Sequence, residues 1–115
     1  MRVDRFDGAV CACCARRATG IGYSPDQRKE PLWLCDDRAC IDAAKASYFM
    51  KQDQFDSVET LAMRDGGDQG GQYLDTIGKS DLATLTEPEW NEFLRRIIAG
   101  YRKSLLDGVK DEIPF

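Results

Sequence analysis

The sequence contains no histidine. That absence removes Ser/His and Cys/His nucleophile–base pairs and any imidazole base working near neutral pH. It also removes histidine from the list of metal ligands. No apolar run approaches the ~18 residues of a membrane-spanning helix. The opening Met1-Arg2-Val3-Asp4-Arg5-Phe6-Asp7 has charges where a secretory leader has its apolar segment, so no export signal is expected. Basic charge is in deficit, with 16 Lys and Arg against 20 Asp and Glu, a net charge of −4. Affinity for nucleic acid comes largely from Lys and Arg displacing phosphate counterions, and this balance offers no broad basic face. Dinucleotide fingerprints, kinase signatures and nucleophile elbows are missing as well. No enzymatic activity and no small-molecule substrate is expected.

What is present reads as one ordinary globular domain. The chain has 115 residues, 43% of them hydrophobic and 31% charged. A domain of this size buries about two-thirds of its unfolded surface. The charge is uneven. Residues 1–55 carry 9 basic and 8 acidic side chains, a net +1, whereas residues 56–115 carry 7 and 12, a net −5. The small basic pairs Arg16-Arg17 and Arg28-Lys29 could touch a phosphate locally, with Tyr23 or Trp33 beside them for base stacking.

The sharpest signal is the cysteines. All five, Cys11, Cys13, Cys14, Cys35 and Cys40, fall in the first 40 residues. Disulfides would require an oxidising compartment, which no export signal supports. Metal binding requires two ligand pairs, each presented by a short turn. Cys11 and Cys14 form a C-x-x-C pair, and Cys35 and Cys40 form a second with four residues between them. Four sulfur ligands in tetrahedral array suit Zn²⁺. Cys13 could replace Cys14 as a C-x-C ligand. A knuckle turn, however, lets two sulfurs separated by two residues converge on one ion, which favours Cys11 with Cys14. Cys13 then becomes a small buried filler or, alternatively, a redox-sensitive thiol. A four-cysteine zinc site leaves no position for water, so the ion would be structural. With one Zn²⁺ on four thiolates, the first half would shift from +1 to −1.

Along the chain, residues 18–23 read as a strand interrupted by Gly20 and Gly22. A polar loop bounded by Pro25 and Pro31 follows, and then the short strand Leu32-Trp33-Leu34. Asp36 or Asp37 can cap a helix over about residues 38–53, with Ile41, Ala44, Tyr48 and Phe49 on its apolar face. The order of knuckle, hairpin and helix predicts a treble-clef-like zinc finger over residues 1–55. In the second half, Asp56-Ser57-Val58-Glu59 has capping-box spacing and predicts a short helix to about Arg64. The four glycines between Asp65 and Gly71 predict a linker. Tyr73, Leu74 and Ile77 suggest another short helix stopped by Gly78. Ser80-Asp81-Leu82 starts a turn. Thr86-Glu87-Pro88-Glu89 is a capping box that opens a last helix. Leu85 and Trp90 are placed to staple its start. Trp90, Phe93, Leu94, Ile97, Ile98, Tyr101 and Leu105 form its apolar stripe, and Gly108 is its expected end. The tail from Val109 to Ile113-Pro114-Phe115 is expected to fray.

The run Cys11-x-x-Cys14-x-x-x-Ala18-x-Gly20-x-Gly22, followed by Trp33-x-Cys35 and Cys40, resembles the start of a family of small phage and prophage proteins of unknown function. The stretch Gly71-Gln72-Tyr73-Leu74-Asp75-x-Ile77-Gly78-Lys79-x-Asp81-Leu82-Ala83-x-Leu85-Thr86-x-x-Glu89-Trp90-x-x-Phe93-Leu94 is similar to that family's C-terminal signature. The resemblance implies Cys11 and Cys14, rather than Cys13, as ligands. It also implies an accessory protein of a mobile element, working in the cytoplasm of a bacterial host cell.

The expectation is therefore an α+β fold: a treble-clef-like zinc finger over residues 1–55, then a helical region over 56–115 that packs on it in a single domain. Its metal ligands are Cys11, Cys14, Cys35 and Cys40. Its function is that of a non-enzymatic interaction module whose acidic half suits a protein partner with a basic surface, at its most specific an anti-CRISPR-like inhibitor of a host defence complex. The alternative is a nucleic-acid-binding zinc finger using Arg16, Arg17, Arg28 and Lys29.

Overall fold

A computed structural model describes residues 4–111. Val3 in the leading arm and the Ile113-Pro114-Phe115 tail lie outside the described residues. The fold is α+β, as the sequence predicts. Strands β1 (Ile21–Tyr23) and β2 (Leu32–Leu34) form an antiparallel hairpin with Ile21 opposite Leu34 and Tyr23 opposite Leu32. Three helices follow: α1 (Arg38–Ser47), α2 (Gln52–Ile77) and α3 (Glu87–Asp111), with a single 3-10 turn at Leu82–Thr84. The predicted first strand is shortened at its start because Gly20 takes a φ of 93°. Gly22 leaves room for Trp33, whose ring would lie 3.2 Å from a Cβ at that position.

Helix α1 starts where expected, with the Asp37 carboxylate accepting from Ala39 N at 2.9 Å. It ends at Ser47, well before the expected residue 53. The cause is a residue the hydrophobic pattern does not reveal. The Arg5 side chain is buried and donates to the carbonyls of Ser47 (2.9 Å), Tyr48 (3.2 Å) and Met50 (2.6 Å). A guanidinium with five donors satisfies helix-end carbonyls that would otherwise have to continue the helix or meet water. Among the described residues its Nε has no hydrogen-bond partner. The early end leaves Phe49 64% exposed, with the Lys29 ammonium 5.3 Å from its ring centre.

The largest departure from expectation is α2. The sequence pattern predicts two short helices and a glycine linker; one 26-residue helix runs through all of them. Its cap is Lys51 with Gln54, whose side chain accepts from Lys51 N at 3.0 Å, rather than Asp56 with Glu59. The glycines are helical because α3 packs directly against two of them. A Cβ on Gly66 would lie 2.6 Å from the Ile97 carbonyl, and one on Gly70 2.6 Å from Ile97 Cγ1. Gly78 does end the helix, in the left-handed region at φ 68°. Helix α3 opens on the predicted capping box, with Glu89 N donating to Thr86 Oγ1 (3.3 Å) and Thr86 N to Glu89 Oε1 (2.9 Å). It does not stop at Gly108 but continues to Asp111. A Cβ at Gly108 would meet Val58 at 2.5 Å, so this glycine serves helix contact and not termination.

Helices α2 and α3 form an antiparallel hairpin that gives the molecule its 53 Å long axis. One core lies at its base. It joins the cysteines, Leu32 and Leu34 of β2, Ala43, Ala44 and Tyr48 of the α1 region, and Phe55, Ala62, Leu105 and Val109 of the hairpin.

Candidate metal centre

Two local structures present the sulfurs. The first is a tight turn from Val10 to Arg17, closed by a bridge between those two residues. Within it Cys11 N donates to Arg16 O at 2.7 Å and Ala15 N to Cys11 O at 3.0 Å. Ala15 holds a φ of 64°, the only non-glycine with positive φ among the described residues. A left-handed alanine costs about 1 kcal/mol or more, so the turn is held by its surroundings. Ala12 N donates to Trp33 O (2.9 Å) and Thr19 N to Leu34 O (3.0 Å), fastening the turn to β2. The second structure is the end of β2 and the start of α1. Cys35 follows the strand directly, and Cys40 sits in the first turn of the helix, its N–H on Asp37 O at 3.0 Å.

The Sγ atoms of Cys11, Cys14, Cys35 and Cys40 all lie within 4.8 Å of one another, and all four residues are buried. Cys14 and Cys35 Sγ are 3.7 Å apart. A Zn–S bond of about 2.3 Å gives a tetrahedron with edges of about 3.8 Å. A disulfide needs about 2.05 Å, and all five cysteines are free. The four clustered cysteines are those read from the spacing. Cys13 is fully buried beside the cluster and outside it.

The thiols are not equivalent. Cys11 is pushed down to about 5, chiefly by the hydrogen bond from the Cys14 thiol and then by the N–H groups of Cys35, Cys13 and Cys14. Those N–H groups oppose the cost of burying a charge. Cys14 is held above the ordinary thiol range by its hydrogen bond to Cys11 and by burial, while Arg16 N–H works the other way. Burial and the negative charge at Cys11 raise Cys40. Burial also pushes Cys13 up to about 12, consistent with an inert filler.

A sequence model of the DUF6511 family, a family of unknown function, matches residues 53–115. The chain belongs to that family. No curated protein and no solved structure matches the chain. The DUF6511 segment takes in nearly all of α2 and everything after it, including the Gly71–Leu94 signature, and leaves the cysteines outside.

The basic pairs sit apart in the chain's local structures. Arg16 and Arg17 close the cysteine turn, and Arg28 and Lys29 lie in the loop between β1 and β2; all four are exposed. Tyr23 and Trp33 are half-buried, Tyr23 edge-on to Tyr48 at 6.0 Å and Trp33 over Gly22. Both rings are engaged in packing. Among the described residues no helix is long and apolar enough to cross a membrane.

Proposed function

We propose that the four cysteines hold one structural Zn²⁺ in a treble-clef zinc finger, and that the protein is a non-enzymatic interaction module of phage or prophage origin. One observation carries the metal reading: four buried sulfurs within 4.8 Å, drawn from a knuckle and a helix start. Four protein sulfurs fill a tetrahedral ion, so no site remains for water or substrate and the role is structural. The ion would stand in for apolar core that so short a hairpin lacks, because metal-binding free energy becomes folding free energy. Binding must displace the protons that Cys14 and Cys40 retain, so affinity falls as the pH falls.

The interaction reading rests on the closed centre and on the acidic second half, which favours a partner with a basic surface. Its narrowest form, an inhibitor of a host defence complex, draws only on the resemblance to phage and prophage proteins. Elemental analysis of the purified protein tests the centre, with one Zn per chain expected. Cys14→Ser should lose the metal and Cys13→Ala should keep it. Iron, or no metal in a folded chain, would refute the reading. Capture of a basic protein that releases at high salt supports the interaction role. A salt-dependent mobility shift with DNA or RNA would instead assign Arg16, Arg17, Arg28 and Lys29 to nucleic-acid binding.

A further inference from the structure

The α2–α3 hairpin carries an apolar face that the other described residues cover only at its base. At 100° per residue, Trp90, Leu94, Ile98, Leu105 and Val109 fall on one side of α3. Leu105 and Val109 are 1% and 0% exposed, because they join the core that includes α1. Farther along, Leu94 is half-buried, and Ile98 and Trp90 are 46% and 41% exposed. The stripe continues where its cover stops.

The same side of α2 carries Met63, Gly67, Gly71 and Leu74. A Cβ at Gly67 or Gly71 would meet nothing within 4 Å, in contrast to Gly66 and Gly70 on the side facing α3. Glycine inside a helix costs about 0.8–1 kcal/mol relative to alanine, and no contact among the described residues offsets that at these two positions. Gly66 lies against Ile97 and Tyr101, and Gly70 against Phe93 and Ile97. That register sets Ile98 beside Gly67 and Leu94 beside Gly71. The face is thus a ridge of side chains on one helix alongside a bare trough on the other.

We infer that this face pairs with a second copy of the chain, the two hairpins closing into a four-helix bundle. Two antiparallel helices with one apolar side are half of such a bundle. The shape complements itself: a two-fold axis places each Leu94–Ile98 ridge in the other copy's Gly67–Gly71 trough, so both contacts form at once and the assembly closes. The uncovered stretch from Met63 to Ile77 is about 22 Å long at 1.5 Å per residue and about 20 Å wide across two helices. A pair therefore buries about 900 Å², below the standard specific interface, which makes the dimer weak and dependent on concentration. None of this depends on what the cysteines hold.

Sedimentation of the full, metal-loaded chain from about 1 to about 500 μM tests it, since that range spans weak dimer affinities. The average mass is expected to rise from 12.9 kDa toward twice that value. Ile98→Glu should hold the protein at monomer mass, with dissociation at least about tenfold easier, because it buries two charges in the ridge. Gly67→Leu should do the same by filling the trough, and its helix content at low concentration should be kept or raised. If Ile98→Glu fails to fold, Gly67→Leu decides alone. A monomer throughout the range, or a dimer indifferent to the substitutions that fold, would overturn the inference; the former is also the outcome if the face serves a different protein.

Discussion

The buried Arg5 side chain ties the leading arm to the end of α1 and to α2. Its guanidinium ends α1, lies 5.7 Å from the Phe55 ring of α2, and carries a positive charge felt at Cys13. Burial pulls its own pKa down, the expected sign for a desolvated cation. Arg5→Ala would strand three carbonyls and should lower stability by about 2–4 kcal/mol in urea unfolding. Arg5→Lys should recover only part of that, because an ammonium cannot span three acceptors as a planar fork can. Sequence reading passes over Arg5 because a charged residue in a leading arm has no periodic signal; only its long-range partners reveal it. The cysteines are the opposite case. Their spacing and the chemistry of sulfur identified the cluster without any tertiary information.

At the level of elements, α2 shows two kinds of helical glycine. Gly66 is required by the close approach of α3, whereas Gly67, one residue on, faces open space. Gly66→Ala should destabilise by about 1–3 kcal/mol through overpacking, while Gly67→Ala at low concentration should stabilise by about 0.8–1 kcal/mol through helix propensity. Thermal melts of the two variants should move in opposite directions. The start of α3 carries a pH dependence. Glu89 is held below the usual carboxylate range by Lys79, 2.6 Å away, and by the Thr86 N–H. A depressed acid stabilises fully above its unfolded pKa, and that contribution is lost as the pH falls through the folded value. Wild-type protein should therefore lose more stability than Glu89→Gln between about pH 6 and about pH 3, as followed by denaturant titration.

Across the whole molecule, the cysteine cluster and the base of the hairpin share one core. If the cluster holds a metal, stripping it with a chelator should therefore abolish the near-ultraviolet signal of Trp33 and speed amide exchange in residues 52–62 and 101–111. Exchange around Gly70 and Phe93, away from that core, should change less. Equal acceleration along the hairpin would show that its two ends are not separable. The sequence by itself determined the α+β class, the four clustered sulfurs, an aspartate cap at Asp36 or Asp37, the Thr86–Glu89 cap and the stop at Gly78, because each follows from chemistry contained within a few residues. Only the tertiary structure decided that α1 ends at Ser47, that α2 runs unbroken and that α3 passes Gly108. In each of those places the local preference is weak or opposed. What overrides it is a partner distant in sequence: Arg5 on the carbonyls of α1, Ile97 against Gly66 and Gly70, and Val58 against Gly108.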